Sequence, residues 1–367
     1  MQDDTSEPPA EGSPPPGDGA HRRRPRYRGK NPRRFEEKYK ERDPERYAAD
    51  VAKVLAAGKT PAGSHRPILV AEILEVLDPK PGELLVDCTL GYGGHASRLL
   101  ERLAPDGRLI GLDADTIEIE KTRARLAAAG WNEPVFRAVR TNFAGLPQVL
   151  AEAGLSGVDG VLADLGISSM QLDNPERGFT FKADGPLDLR LNSTRPPSAA
   201  QWLQRVTARE LERALREHAD EPEATLLATE LCRWRATAPL ERTGQLAEAV
   251  RAILARARRS LDAEAVDSTV RRCFQALRIA VNDEFGALER LLAALPAALN
   301  PGGRVAILSF HSGEDRRVKQ ALRAGFDAGV YAAINDEVIR PSPAERRDNP
   351  RSKSAKLRWA RRSERPL

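Results

Sequence analysis

Glu83-Leu-Leu-Val-Asp-Cys-Thr-Leu-Gly-Tyr-Gly-Gly-His-Ala96 is the stretch whose reading decides the fold. Leu84 to Val86 are a short apolar run suited to a buried strand, closed by a carboxylate, Asp87. A glycine turn follows. An amphipathic segment with Leu99, Leu100 and Leu103 on one face comes next. Strand, glycine turn and helix together can hold a nucleotide-like ligand. Glycine lets the backbone approach closely, and the helix start offers free N–H groups. Asp113 ends the next apolar run, 19 residues after Gly94. A carboxylate at the end of the second strand is where such folds bind ribose hydroxyls.

Two ligands fit this recipe. Gly91, Gly93 and Ala96 can be read as G-x-G-x-x-A, the turn of a dinucleotide site. Yet Asp87, Cys88 and Thr89 stand between the strand and its first glycine. A carboxylate there repels a pyrophosphate and suits a cation, which favours S-adenosylmethionine.

The 367 residues exceed one typical domain, so a large domain with an insertion or tails is expected. The net charge of +5 is unevenly spread. Residues 1–20 carry five acidic and no basic residues, and residues 21–46 carry twelve Lys or Arg against five Asp or Glu. Residues 1–60 therefore read as a disordered basic and Pro-rich extension, with Tyr27, Phe35 and Tyr39 available for stacking on RNA. No apolar run matches a membrane span or a signal peptide. The three cysteines match no metal spacing, and a cytoplasmic location without membrane contact is expected.

Helix-like spacing begins at Ile68, Leu69, Ile73, Leu74 and Leu77. Strands are expected over 108–113, 134–139 and 158–163, alternating with helices. That alternation predicts a mainly parallel sheet with its ligands at the strand C-termini. Asp87, Asp113, Phe143 and Asp164 all fall at such ends. Residues from about 195 to 275 read as helical throughout, an insertion before the last strands. Arg304 to His311 is a further buried strand, and the segment 355–359 reads as a final edge strand.

The segment after strand four, Asp164-Leu-Gly-Ile-Ser-Ser-Met-Gln171 through Arg190, is the most specific in the chain. With Asp87 to His95 and Ser309-Phe-His-Ser-Gly-Glu-Asp-Arg316, it closely resembles the bacterial 16S rRNA cytosine-N4 methyltransferases, RsmH/MraW. The resemblance runs from about His65 to Trp359 and includes Phe274 to Asn282 and Asn349 to Arg358.

The resemblance implies a Rossmann-like class I methyltransferase with an inserted all-helical domain. It implies S-adenosylmethionine as cofactor and a P-site cytidine of 16S rRNA, in the small ribosomal subunit, as substrate. The domain would span 61–172 and 276–367, with the helical insertion and substrate loop at 173–275. Matched position by position, Gly93, Gly94, His95, Asp113, Phe143, Asp164 and Gln171 are expected at the cofactor. Asp164 is expected to accept from the cytosine amino group or from the cofactor, and His311 to take up a proton. Phe179 and Arg190 are expected to clamp the RNA, and Ser309 to contact cytidine or phosphate. No metal is implied.

The chain departs from the family where Tyr-Gly-Glu-Glu appears as His218-Ala-Asp-Glu221 and His-Pro-Ala-Thr-Arg as Asp267-Ser-Thr-Val-Arg271. Two rival readings stand beside the enzyme: a non-catalytic RNA-binding ribosome assembly factor, and a nicotinamide oxidoreductase. The sequence does not separate a monomer from a homodimer.

Overall fold

A computed structural model describes residues 67–257 and 261–365. The N-terminal extension, His65, and Arg258 and Arg259 lie outside the described residues.

Helix α1 (Val70–Leu77) leads to β1 (Leu84–Asp87), α2 (Gly94–Leu103), β2 (Arg108–Asp113), α3 (Glu118–Ala128), β3 (Phe136–Arg140), α4 (Leu146–Glu152) and β4 (Val158–Asp164). A short α5 (Ser169–Asp173) opens the loop beyond. Five helices follow: α6 (Ala199–Arg205), α7 (Ala208–Ala219), α8 (Ala224–Thr237), α9 (Thr243–Arg256) and α10 (Ala263–Asn282). The chain returns through α11 (Glu284–Ala298), β5 (Leu299–Ser309), α12 (Ser312–Asp327), β6 (Tyr331–Ile334), α13 (Pro343–Asp348) and β7 (Lys356–Arg362).

The strands form one seven-stranded sheet in the order β3-β2-β1-β4-β5-β7-β6. β3, β2, β1, β4 and β5 run parallel, while β7 is antiparallel to both β5 and β6. All four residues of β1 are buried, as expected for a strand covered on both faces. Its alternation sorts the layers. Leu84 and Val86 pack with α4, α11 and α12, and Leu85 packs with α1, α2 and α3. The order reverses between β1 and β4, so the C-terminal ends of these strands open a crevice.

The sequence pattern places 355–359 at an edge, but residues 356–359 belong to β7, which is enclosed between β5 and β6. The four-residue β6 takes the edge instead. Its signal is weak because only Tyr331 is buried.

The inserted helices have an apolar core of their own around Leu203, Leu227, Leu246, Val250 and Phe274. α10 crosses residue 275 and ends at Asn282, where Asp283 turns left-handed at φ 49. The Asn282 side chain donates to the carbonyls of Leu189 and Arg278 and accepts from Leu191 N at 2.8 Å. This clasp ties the loop after β4 to the end of α10. Among the described residues, no helix is long and apolar enough to cross a membrane.

Candidate active site

The glycine turn is built from backbone conformation and tied from α3. Gly91 and Gly93 have φ of 48 and 78, a region that glycine enters without strain. Gly91 N donates to Asp113 Oδ2 at 2.6 Å. Thr122 Oγ1 donates to Gly91 O at 2.5 Å, and Arg125 Nη2 donates to Tyr92 O at 2.7 Å. The Arg125 guanidinium also stacks on the Tyr92 ring, 3.4 Å from its centroid. A Cβ on Gly93 would lie 2.8 Å from Thr122 Cγ2. Thr122 is fully buried and has little room to yield. Gly93→Ala is therefore expected to cost about 1–3 kcal/mol in stability through backbone strain and overlap. Cofactor affinity, measured by calorimetry, should fall about tenfold, since 1.4 kcal/mol is a factor of ten. An unchanged affinity would show that the turn does not shape the site.

Three aspartates end neighbouring strands. Asp87 is 1% exposed, and burial above all pushes its carboxyl up to about 6. Asp113 is likewise pushed up to about 6 by burial, although Gly91 N and Asp115 N donate to its two oxygens. A carboxylate has further lone pairs, so Asp113 keeps acceptor capacity for ribose hydroxyls. Burial, reinforced by the Glu314 charge, pushes Asp164 up to about 7. His95 Nδ1 stands 3.5 Å from Asp164 Oδ2, and His95 Nε2 is 2.9 Å from the carbonyl oxygen of Ile68. The His95 ring is thus engaged within the protein, and burial holds it below the ordinary histidine value.

Phe143 opens a 3₁₀ turn (Phe143–Gly145) whose start is capped by Asn142, and its ring packs half-buried against the sheet core. Gln171 is 8% exposed. Its amide donates to Asp115 Oδ2 at 2.7 Å and accepts from Ser168 N at 2.8 Å. The residue expected at the cofactor is therefore committed to a neighbouring carboxylate and a helix cap.

The expected substrate residues are mostly engaged elsewhere. Phe179 is 5% exposed inside the helical core, so its ring is not presented for stacking. Arg190 is bidentate to Asp188, at 2.7 and 2.6 Å, and also donates to Arg195 O. Ser309 is buried and faces the Lys356 carbonyl at 3.4 Å. In each case the side chain satisfies a local packing or hydrogen-bond demand that the linear pattern does not display. His311 caps α12, with Nε2 3.1 Å from Glu314 Oε1 and its ring 5.6 Å from Phe285. Glu314 is 4% exposed. Burial opposes its charge, but His311, the Phe310 N–H and Arg278 hold its carboxyl below the usual range. Arg278 is itself bidentate to Glu284, at 2.8 and 2.9 Å.

Sequence reading missed two features. Asp115 is 1% exposed and receives Arg177, Gln171 and the N–H groups of Ile117 and Glu118. Its position two residues past Asp113 was the available signal. The other is a cavity of about 430 Å³ lined by Trp202, Arg213, His218, Asp283 and Phe285. It adjoins His311 through Phe285. No linear motif joins these residues, which come from three helices and the junction between α10 and α11.

A doubly wound sheet with a reversed β7, a glycine turn after β1 and acidic ends on β1, β2 and β4 define a class I S-adenosylmethionine-dependent methyltransferase fold. The description "MraW methylase family" belongs to the model that matches residues 62–363, and the chain belongs to that family. The "Ribosomal RNA small subunit methyltransferase H 1" of Agathobacter rectalis is 47% identical over 345 residues, 94% of this chain and 98% of that one. The protein of the same name from Lachnoclostridium phytofermentans is 47% identical over 344 residues, 93% of each chain. "Ribosomal RNA small subunit methyltransferase H 2" of Alkaliphilus metalliredigens is 47% identical over 339 residues, 92% of this chain and 97% of that one.

The donor set fits a cationic adenosyl ligand. Three carboxyls pushed up mainly by burial are poorly solvated at the strand ends, and a sulfonium beside them would favour their ionised form. The sign follows. A cation favours the ionised carboxylates, so its binding releases protons where these groups are still protonated. Affinity for S-adenosylmethionine should therefore weaken as pH falls from 8 through 7 and 6. The neutral thioether S-adenosylhomocysteine should weaken less. We expect the ratio of the two affinities to shift about tenfold between pH 8 and pH 5, the effect of about one pKa unit. Calorimetry of both ligands checks this, and identical pH profiles would sink it.

Proposed function

We propose that this protein transfers a methyl group from S-adenosylmethionine to the exocyclic N4 of a cytidine in the P-site region of 16S rRNA, within the small ribosomal subunit. When bound, the cofactor supplies an electrophilic methyl carbon on a sulfonium, so transfer forms one N–C bond, breaks one C–S bond and leaves a neutral thioether. Gly93, Gly94 and the start of α2 would carry the cofactor, with Asp113 on its ribose and Phe143 beside its base.

The carrying observation is the Asp164 carboxyl at the end of β4, 17% exposed and pushed up to about 7. The N4 lone pair of cytosine is delocalised into the ring. An acceptor on its amino hydrogens lets the nitrogen become tetrahedral and then takes the proton. A carboxyl titrating near neutrality is matched to that task. The cavity beside His311 offers two aromatic walls, Trp202 and Phe285, and the Arg213 guanidinium. That chemistry suits a base splayed out of single-stranded RNA. The likeness to proteins named for the small-subunit rRNA supports the same reading. A non-catalytic assembly factor would have no use for a desolvated acceptor beside an intact glycine turn.

The test is methyl transfer from labelled S-adenosylmethionine to small subunits from a strain lacking this gene, with the product nucleoside identified by mass spectrometry. N4-methylated cytidine in the decoding region is the expected result. Label on another nucleotide would refute the substrate while keeping the chemistry. Cofactor binding without transfer to naked 16S rRNA or to subunits would favour the assembly factor.

A further inference from the structure

Ile68 and Asp164 hold the two ring nitrogens of His95 in different states. Nε2 lies 2.9 Å from the Ile68 carbonyl oxygen, and Nδ1 lies 3.5 Å from Asp164 Oδ2. A carbonyl oxygen only accepts, so Nε2 carries the hydrogen. In the neutral ring Nδ1 is then a bare lone pair, and it faces a carboxyl group. The ring is 7% exposed and Asp164 17%, so Asp164 is the more open end of the pair.

We propose that His95 is a positioning residue that shares a proton with Asp164, so that the proton released by the substrate amino group is held on the Asp164–His95 pair rather than on a single carboxylate. This rests on the methyl-transfer reading above. Once N4 carries the methyl group it is cationic. One N–H bond breaks, and its electron pair stays on nitrogen. The proton bonds to one oxygen of the Asp164 carboxyl. From the carboxyl a proton passes through Oδ2 to His95 Nδ1, which restores the carboxylate. Asp164 ends as it began, and His95 becomes an imidazolium whose Nε2 donates to Ile68 and whose Nδ1 donates to Asp164. No electrons are lost or gained.

Burial opposes a charge on the His95 ring, and the groups packed around it oppose that penalty. Asp87 on β1 and Glu345 on α13 both act on the His95 ring and favour its charged form. Asp113 adds its charge at Asp87, and Glu314 on α12 adds its own at Asp164. Glu345 is held in place by accepting from Leu69 N at 2.9 Å. A positive charge disappears from the ligand during transfer and one appears on the imidazole, so the buried carboxylates keep a cation among them. In the resting protein, burial lowers His95 and raises Asp164 to about 7.

Two measurements test the pair. The first is ¹⁵N NMR of histidine-labelled full-length protein with S-adenosylhomocysteine, with His95 assigned against a His95→Gln sample. The Nε2–H tautomer is expected, with a titration that moves when Asp164 is replaced by asparagine. An Nδ1–H tautomer, or a titration blind to Asp164→Asn, would overturn the proposal. The second is single-turnover methylation by His95→Gln. Glutamine keeps a donor for Ile68 and an acceptor for Asp164 but cannot hold a proton. The rate should fall about 10- to 100-fold, the lower part of the range for positioned proton transfer. S-adenosylhomocysteine affinity should change less than about threefold, well under the 1.4 kcal/mol of a tenfold change. The acid limb of the pH–rate profile should move up towards pH 7, where Asp164 alone ionises. A wild-type rate and profile would refute the relay. A parallel loss of affinity and rate with an unchanged profile would reduce His95 to a wall of the cofactor pocket. If the wild-type protein methylates no small subunit, the functional reading fails, while the NMR result still judges the pair.

Discussion

Asp164→Asn is expected to lower the single-turnover methyl-transfer rate by about 10²- to 10⁴-fold, the range for removing a positioned acid–base group. S-adenosylhomocysteine affinity should stay within about tenfold, that is within 1.4 kcal/mol. Asparagine has the shape of the protonated carboxyl, but its amide cannot take up a proton. The same change should stabilise the fold at pH 8. A carboxyl whose folded value is raised from 3.8 to about 7 contributes fully to stability only below pH 3.8. That contribution is lost progressively as pH rises to 7, because the buried charge must then be carried. The variant escapes this, so its advantage over wild type should grow from pH 4 to pH 7, by up to a few kcal/mol. Urea unfolding at several pH values reads the difference. A variant that loses affinity and rate together would show that Asp164 serves the cofactor and not the amino group.

Asp115→Ala should have the largest effect on stability. The side chain is 1% exposed, and both oxygens are in use. Oδ2 accepts from Arg177 Nη1 and Gln171 Nε2, each at 2.7 Å, and Oδ1 from Ile117 N at 2.9 Å and Glu118 N at 3.2 Å. Alanine leaves an 11% exposed guanidinium unpaired and opens the start of α3. Breaking one partner of a buried ion pair costs about 3–5 kcal/mol. Arg177 also donates to the carbonyls of Arg190 and Leu191, so the loop from β4 to α6 should loosen and become sensitive to protease. Burial opposes the Asp115 charge, yet Arg177, Gln171 and Ile117 N hold its carboxyl below 3.8. Its contribution is therefore present above pH 3.8 and lost as pH falls through the lower folded value. The difference between variant and wild type should be flat from pH 5 to 8 and shrink in stronger acid. Adding Arg177→Met should recover part of the loss. A cost below about 1 kcal/mol would place the pair among ordinary exposed ion pairs.

Much of the site was legible because its recipe is local. A buried run, a carboxylate, a glycine turn and an amphipathic helix lie within Glu83 to Leu103, and period alone separates strand from helix there. Asp87, Asp113 and Asp164 could be placed at strand ends without knowing what they touch. Residues whose partners are distant in sequence were less legible. Phe179 and Arg190 look like an RNA clamp in a Gly-rich loop. In the fold the first fills the helical core and the second is locked to Asp188. Gln171 looks like a pocket residue, and its amide answers Asp115, 56 positions earlier.

The sequence by itself determined the order of strands and helices, the glycine turn, the acidic strand ends and the family. These depend on side-chain periodicity and on backbone freedom at single residues, which neighbours in the chain settle. Tertiary structure alone decided which polar side chains remain free to act. Each such bond is worth only about 1 kcal/mol. Which partner wins depends on the segments that packing brings together, as when the turn after β2 meets the loop after β4 at Asp115 and the residues before α1 meet α2 at the His95 ring.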